Sequence, residues 1–266
     1  MTLPKGLKAF LKDSSPGKLT KGKFKGYRAV DAHGAFEGPT LKGITKQLAA
    51  KLYSRGELDD AATASTEWTP DAWKSTNGRN GSNGGLRRGR AVDSQVSRLA
   101  SASANARKTS SKFKFTTLAF SALAKAGLEP VVGQRVVLSR RHGVATAADV
   151  VCFDAASNAL VVVELKCGFS GCRTAPVRFN RRAQKLNLPC SGADDCLLHR
   201  HMSQLAVTRH LLATEGSFAA TLASKFGIRE VRGSLLYVCD RDTQLHALTP
   251  WWVRRGAALV RLLGEK

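Results

Sequence analysis

The stretch Ala147-Ala-Asp-Val-Val-Cys-Phe-Asp-Ala-Ala-Ser-Asn-Ala-Leu-Val-Val-Val-Glu-Leu-Lys-Cys-Gly168 reads as a β-hairpin. Two apolar runs rich in β-branched residues, Asp149 to Phe153 and Ala159 to Val163, flank a small and polar turn segment, Asp154 to Asn158. The charges do not suit a buried strand pair. Asp149 lies on the first strand, while Glu164 and Lys166 close the second and, two residues apart, share one face. Desolvating an unpaired charge is costly, so such groups pair with one another or hold a metal.

Outward from the hairpin, helical and strand patterns alternate. Residues 131–138 read as a strand. Before it, residues 113–126 read as a helix ended by Gly127 and Pro130. Val92, Val96 and Leu99 mark one face of a further helix over 91–106, with Asp93 one residue past the start of that stripe. After the hairpin, helical spacing runs through Met202, Leu205, Ala206, Arg209 and Leu212, with Gln204 beside them, and a second helix spans 218–226. Strands over 233–240 and 244–248 and a helix from Trp251 complete the chain. This succession predicts an α/β fold with a central mixed β-sheet flanked by α-helices.

The N-terminal third is different in composition. Residues 1–40 carry Lys18, Lys21, Lys23, Lys25 and Arg28 with little apolar periodicity, and are expected to form a flexible basic arm. Residues 41–86 are expected to hold a helix on Ile44, Leu48 and Leu52, two tryptophans (Trp68 and Trp73) and a Gly/Asn-rich linker. That linker, Asn77 to Gly85, lacks the Gly-Lys-Ser/Thr ending of a phosphate loop, which removes an NTPase reading. The main domain is then expected over 87–266.

Forty-two Lys and Arg face 20 Asp and Glu, a formal net charge of +22, so the favoured partner is a polyanion, nucleic acid first. The bland alternative is a solubilising surface. There is no run of roughly 18 apolar residues to cross a membrane and no apolar signal core. Six irregularly spaced cysteines fit a reducing, intracellular setting, in nucleus, cytoplasm or virion. Cys190, Cys196, His199 and His201 match no standard zinc spacing and read as free thiols and ordinary histidines.

Asp149, Glu164-Leu165-Lys166 and Gln204-Leu-Ala-Val-Thr208 together resemble the PD-(D/E)xK nuclease superfamily, in its RecB and lambda-exonuclease-like branch, which includes viral alkaline nucleases. The resemblance extends from Gly89 to the end, about two thirds of the chain. Ala148 stands where the name motif has Pro, and Thr208 where the glutamine element has Tyr. The resemblance implies a restriction-endonuclease-like core and a metal-dependent DNA nuclease, an exonuclease acting in recombination, repair or viral DNA processing. It implies Mg²⁺ or Mn²⁺ held by Asp149, Glu164, the Leu165 carbonyl and, from an upstream helix, Asp93. Lys166 would orient or deprotonate the attacking water, with Gln204 hydrogen-bonding nearby. Arg87, Arg88 and Arg90, with Arg173, Arg178, Arg181, Arg182 and Lys185, are the expected DNA-backbone contacts. No nucleotide cofactor or membrane partner is expected; candidate protein partners are a second copy of the chain or a recombination or virion protein. Two rivals stand beside this reading: a nuclease-fold DNA-binding or structural protein without turnover, and a structure-specific endonuclease.

Overall fold

The computed structural model describes residues 2–20, 26–31, 33, 35–54, 84–168, 173–174, 176–239 and 242–265. Among them the chain begins with α1 (Leu7–Asp13), β1 (Gly17–Thr20), β2 (Gly26–Val30), β3 (Phe36–Gly43) and α2 (Ile44–Lys51). It continues with α3 (Gly84–Ala100), α4 (Ala104–Ser110), α5 (Lys114–Lys125), β4 (Leu128–Ser139), β5 (Val144–Asp154) and β6 (Ala159–Cys167). There follow β7 (Arg178–Phe179), β8 (Arg182–Ala183), α6 (Leu197–Ala213), α7 (Gly216–Phe226), β9 (Glu230–Val238), β10 (Thr243–Ala247) and α8 (Pro250–Gly264). The chain is α/β, with a mixed eight-stranded sheet between two layers of helices.

The expected hairpin is β5 and β6, paired antiparallel from Asp154 opposite Ala159 to Val150 opposite Val163. Asp154 builds the turn, its carboxylate accepting from the Ala156 amide at 3.0 Å and the Ser157 hydroxyl at 2.5 Å. Side chains alternate between faces as a pleated strand requires. Val151, Phe153, Leu160 and Val162 join Leu205 and Ala206 of α6 in one core layer. Val150, Cys152, Val161 and Val163 join Val92 and Val96 of α3 and Phe115 and Leu123 of α5 in the other.

β4 runs antiparallel along one edge of β5, and β9 runs parallel to the whole of β6. The other edge of β5 is divided. Its last five residues pair with β6, and its first two, Val144 and Ala145, pair in parallel with Lys42 and Gly43 of β3. Residues 146–149 lie between those two partners, where β5 and β6 fork apart.

The described residues of 1–40 are not the flexible arm expected from their composition, and residue 87 does not begin the fold. Leu7 and Leu11 of α1 are fully buried in the core layer that holds α6. β1, β2 and β3 form an antiparallel meander that joins the sheet through β3. Each buried leucine contributes roughly 1.5–3 kcal/mol, enough to hold a lysine-rich segment in place. Trp68, Trp73 and the Gly/Asn-rich linker lie outside the described residues, apart from the helical Gly84 and Gly85. α2 is shorter than the 41–53 expected, because Leu41 belongs to β3. Among the described residues no helix is long and apolar enough to cross a membrane.

One buried cation ties the N-terminal segment to the core. Arg135 of β4, with a side chain 0% exposed, donates to the Leu11 carbonyl, to the Ser14 carbonyl at 3.0 Å and to Glu215 at 3.1 Å. Its guanidinium lies 4.3 Å from the centre of the Phe218 ring. Burial raises the Glu215 carboxyl to about 7 against the opposing pull of Arg135. Replacing Arg135 by Ala leaves that carboxyl and two helix-end carbonyls without their donor. Urea unfolding at pH 7.5 should therefore show a loss of about 3–5 kcal/mol, smaller at pH 5, where Glu215 is neutral.

Candidate active site

Where β6 separates from β5, its freed Leu165 amide turns to a side chain and donates to Asp149 Oδ2 at 2.9 Å. Glu164, on the same part of β6, is 1% exposed. Its Oε1 accepts from Lys166 Nζ at 2.6 Å, and its Oε2 is buried with no hydrogen-bond partner among the described residues. Lys166 keeps 18% of its side chain exposed. Gln204, on α6, accepts a second bond from Lys166 Nζ at 3.3 Å through Oε1.

Asp93 arrives from the opposite layer. It is the tenth residue of α3, well beyond the first turn, where the helix macrodipole would favour a carboxylate. Gln134 of β4 joins the two sides: its Nε2 donates to Asp93 Oδ1 at 3.0 Å and Oδ2 at 3.2 Å, and to Asp149 Oδ1 at 3.3 Å. Gln134 adopts a left-handed backbone, φ 51°, which is uncommon outside Gly and Asn. Its neighbour Gly133 explains how α3 comes so near. A Cβ there would lie 2.4 Å from Ser97 Cα, so only glycine lets the helix rest on the strand one turn after Asp93.

Three carboxylates thus share one ammonium. Burial first, then the Glu164 charge, raises Asp93 to about 6. Burial, Glu164 and Asp93 together hold Asp149 well above the ordinary carboxylate range. Burial opposes the charge on Lys166, but Glu164 and Asp149 outweigh it and the ammonium titrates higher than usual. Gln134 and Lys166 stand among the carboxylates, and no three His, Cys, Asp or Glu side chains of the described residues are grouped as a metal-ligand set. The donors are nonetheless all oxygen, and Glu164 Oε2 is buried and partnerless; both suit a hard divalent cation.

Sequence reasoning brought Asp149, Glu164, Lys166, Gln204 and Asp93 to one place, and missed two kinds of residue. Gln134 had a faint signal, a polar pair interrupting the apolar run Val131 to Leu138. Tyr27 of β2 and Tyr53 after α2 had none, because they reach the site only through the packing of the N-terminal segment on the sheet. Tyr27 is bonded to Thr146 and the Ala147 backbone, and burial with the charges of Asp149 and Glu164 raises its hydroxyl. The Tyr53 hydroxyl donates to the Arg200 carbonyl at 3.1 Å and interacts with the Lys166 charge. Thr208 is buried and bonds back to the Gln204 carbonyl, so it takes no part in the site.

The basic residues divide. Arg173 lies over the ring of Tyr237, 4.3 Å from its centre, and Tyr237 pairs in register with Lys166. Arg90 is exposed one turn before Asp93, and Arg87 and Arg88 lie in the helical run before it. Arg178, Arg181 and Arg182 are exposed on the β7–β8 hairpin, and Lys185 pairs with Asp194 at 2.6 Å. A cavity of about 550 Å³, lined by Asp154, Arg209, Arg232, Leu248 and Arg254 among others, opens at the start of β9, away from the carboxylates at the end of β6.

Comparison with known proteins gives no match: no family model, no curated protein and no solved structure is significantly similar to the chain.

A carboxyl whose value is raised by folding stabilises the folded state while protonated. For Asp93 that contribution is complete below its unfolded value, 3.8, and is lost as pH rises through about 6. Asp93→Asn should therefore raise the unfolding free energy in EDTA at pH 8 by up to about 3 kcal/mol, a gain that fades below pH 5. Urea titrations at the two pH values measure it.

Proposed function

We propose that the chain is a divalent-cation-dependent nuclease that hydrolyses DNA phosphodiester bonds. The observation that carries this reading is that Asp93 and Asp149, joined by Gln134, meet the Glu164–Lys166 pair, with a buried Glu164 oxygen left unpartnered among the described residues. In this reading Asp149, Glu164 and the Leu165 backbone, with Asp93, hold Mg²⁺ or Mn²⁺. A cation of this class lowers the pKa of water and offsets the charge of the pentavalent transition state. Lys166 orients the attacking water and meets the negative charge that develops on the phosphate. The Gln204 carbonyl oxygen and Glu164 fix where the ammonium points. Asp93, neutral below about pH 6, makes the ligand set less anionic in acid, so activity should rise with pH through that range.

The likeness to lambda-exonuclease-like enzymes supports action from DNA ends, in recombination, repair or viral DNA processing. The net charge of +22 supports backbone contacts that are largely independent of sequence and weakened by salt. One observation favours a second reading, a nuclease-fold DNA-binding protein without turnover. Gln134 and Lys166 already occupy oxygens of all three carboxylates.

Cleavage of linear and covalently closed duplex DNA with Mg²⁺ separates these readings. The expected result is degradation of linear duplex only, reduced at least about 100-fold by Glu164→Gln and by Lys166→Ala. Cleavage of closed circles would instead indicate an endonuclease. Salt-sensitive binding with no metal-dependent cleavage would establish the second reading.

A further inference from the structure

The β7–β8 hairpin stands apart from the rest of the surface. Phe179 pairs with Arg182 across the two residues Asn180 and Arg181, both left-handed, with φ 48° and 63°. Two consecutive left-handed residues make the tight turn of a twisted hairpin. Asn suits it, whereas a left-handed Arg is disfavoured. The turn puts Arg178, Phe179, Arg181 and Arg182 in solvent together. Phe179 is 55% exposed. Among the described residues Phe36 is the other strongly exposed phenylalanine, and there the Arg28 guanidinium covers the ring at 4.8 Å. Among the described residues no ring or cation is stacked on Phe179, and no acid pairs with the three arginines.

The base of the hairpin is held firmly. The Val177 amide donates to the Asp195 carbonyl at 2.6 Å, the Gln184 amide to the Val177 carbonyl at 2.8 Å, and the Asp195 amide to the Gln184 carbonyl at 2.9 Å. Asp195 is fully buried, and its carboxylate takes two bonds from Arg200, at 2.6 and 3.0 Å, and two from Ser54. Ser54 adjoins Tyr53, whose hydroxyl lies on the Arg200 carbonyl beside Lys166. The hairpin, anchored at its base on Asp195, thus carries an aromatic face and three arginines that are uncovered and without an acidic partner among the described residues.

We propose that this hairpin is a single-strand-binding wing, in which Phe179 stacks on an unpaired DNA base and Arg178, Arg181 and Arg182 hold the flanking phosphates. A flat ring beside clustered guanidinium groups complements a base next to its phosphates, and stacking tolerates any base. A fully paired duplex offers no base face except at its ends. The assignment rests on DNA being the partner, as in the proposed function, but requires no cleavage.

The test uses the full chain in EDTA and two fluorescent probes, an oligodeoxythymidylate of about 12 nucleotides and a closed-ended duplex of similar charge. Phe179→Ala should weaken single-strand binding about tenfold and duplex binding by less than about twofold, with Phe179→Trp restoring the loss. Arg181→Ala should lower the salt slope for the single strand by about 0.7. Thermal melting should be unchanged in each variant, because these side chains are exposed. Unchanged single-strand affinity in Phe179→Ala, or an equal loss on both probes, overturns the wing. A Phe179-dependent affinity in a protein that cleaves nothing leaves the wing standing and removes only the catalytic reading.

Discussion

A buried ion pair at the open end of a strand, Glu164 with Lys166, sets the terms for everything around it. The two groups lie in a sheet whose neighbouring positions are apolar, so their charges must be compensated by whatever packs there. α6 supplies the Gln204 carbonyl, and β6 supplies the Leu165 amide to the adjoining Asp149. β4 supplies the Gln134 amide, which also secures Asp93. The fork between β5 and β6 makes room for these contacts, because it releases backbone donors from the ladder just where carboxylates need them. β3, taking the other part of the same edge of β5, prevents the fork from leaving a long bare strand.

Much of this arrangement was legible in the residues themselves. The hairpin declared itself by β-branched runs about an Asp/Ser/Asn turn, and Asp149, Glu164 and Lys166 stood out as charges where strands should be apolar. Helical spacing put Gln204 and Asp93 on helices, and the resemblance to PD-(D/E)xK nucleases is what assigned both to the hairpin's site. The N-terminal segment was misjudged for a physical reason. Leu7, Phe10 and Leu11 do keep helical spacing, but α1 is one short helix among lysines, and its stability comes from a core contributed by distant residues. Tyr27 and Gln134 were harder still. Tyr27 depends on a non-local strand pairing and leaves no local pattern, and Gln134 depends on an unusual backbone conformation, marked only by a polar pair in an apolar run.

The site and the basic surface answer different physical demands. A carboxylate cluster repels phosphate, so a polyanion approaches it only if cations elsewhere offset that repulsion. Those cations are carried on separate elements: Arg90 on α3, Arg173 against Tyr237, and the arginines of the β7–β8 hairpin. Of these, Arg173 is held in place by the Tyr237 ring and the Gln244 side chain, whereas the hairpin arginines have no acidic partner among the described residues. Under the proposed function, the arrangement separates holding a backbone from acting on it.

The clamp on Arg135 also decides how far the chain can be divided. A fragment begun at residue 87 would keep every position on which the resemblance to nucleases rests. It would nevertheless lose the Leu11 and Ser14 carbonyls that accept from the guanidinium, the β3 neighbour of β5 and the phenol beside Asp149. The unit that folds is therefore larger than the unit that carries the motif, and what looks like an appendage in composition is a wall of the same room.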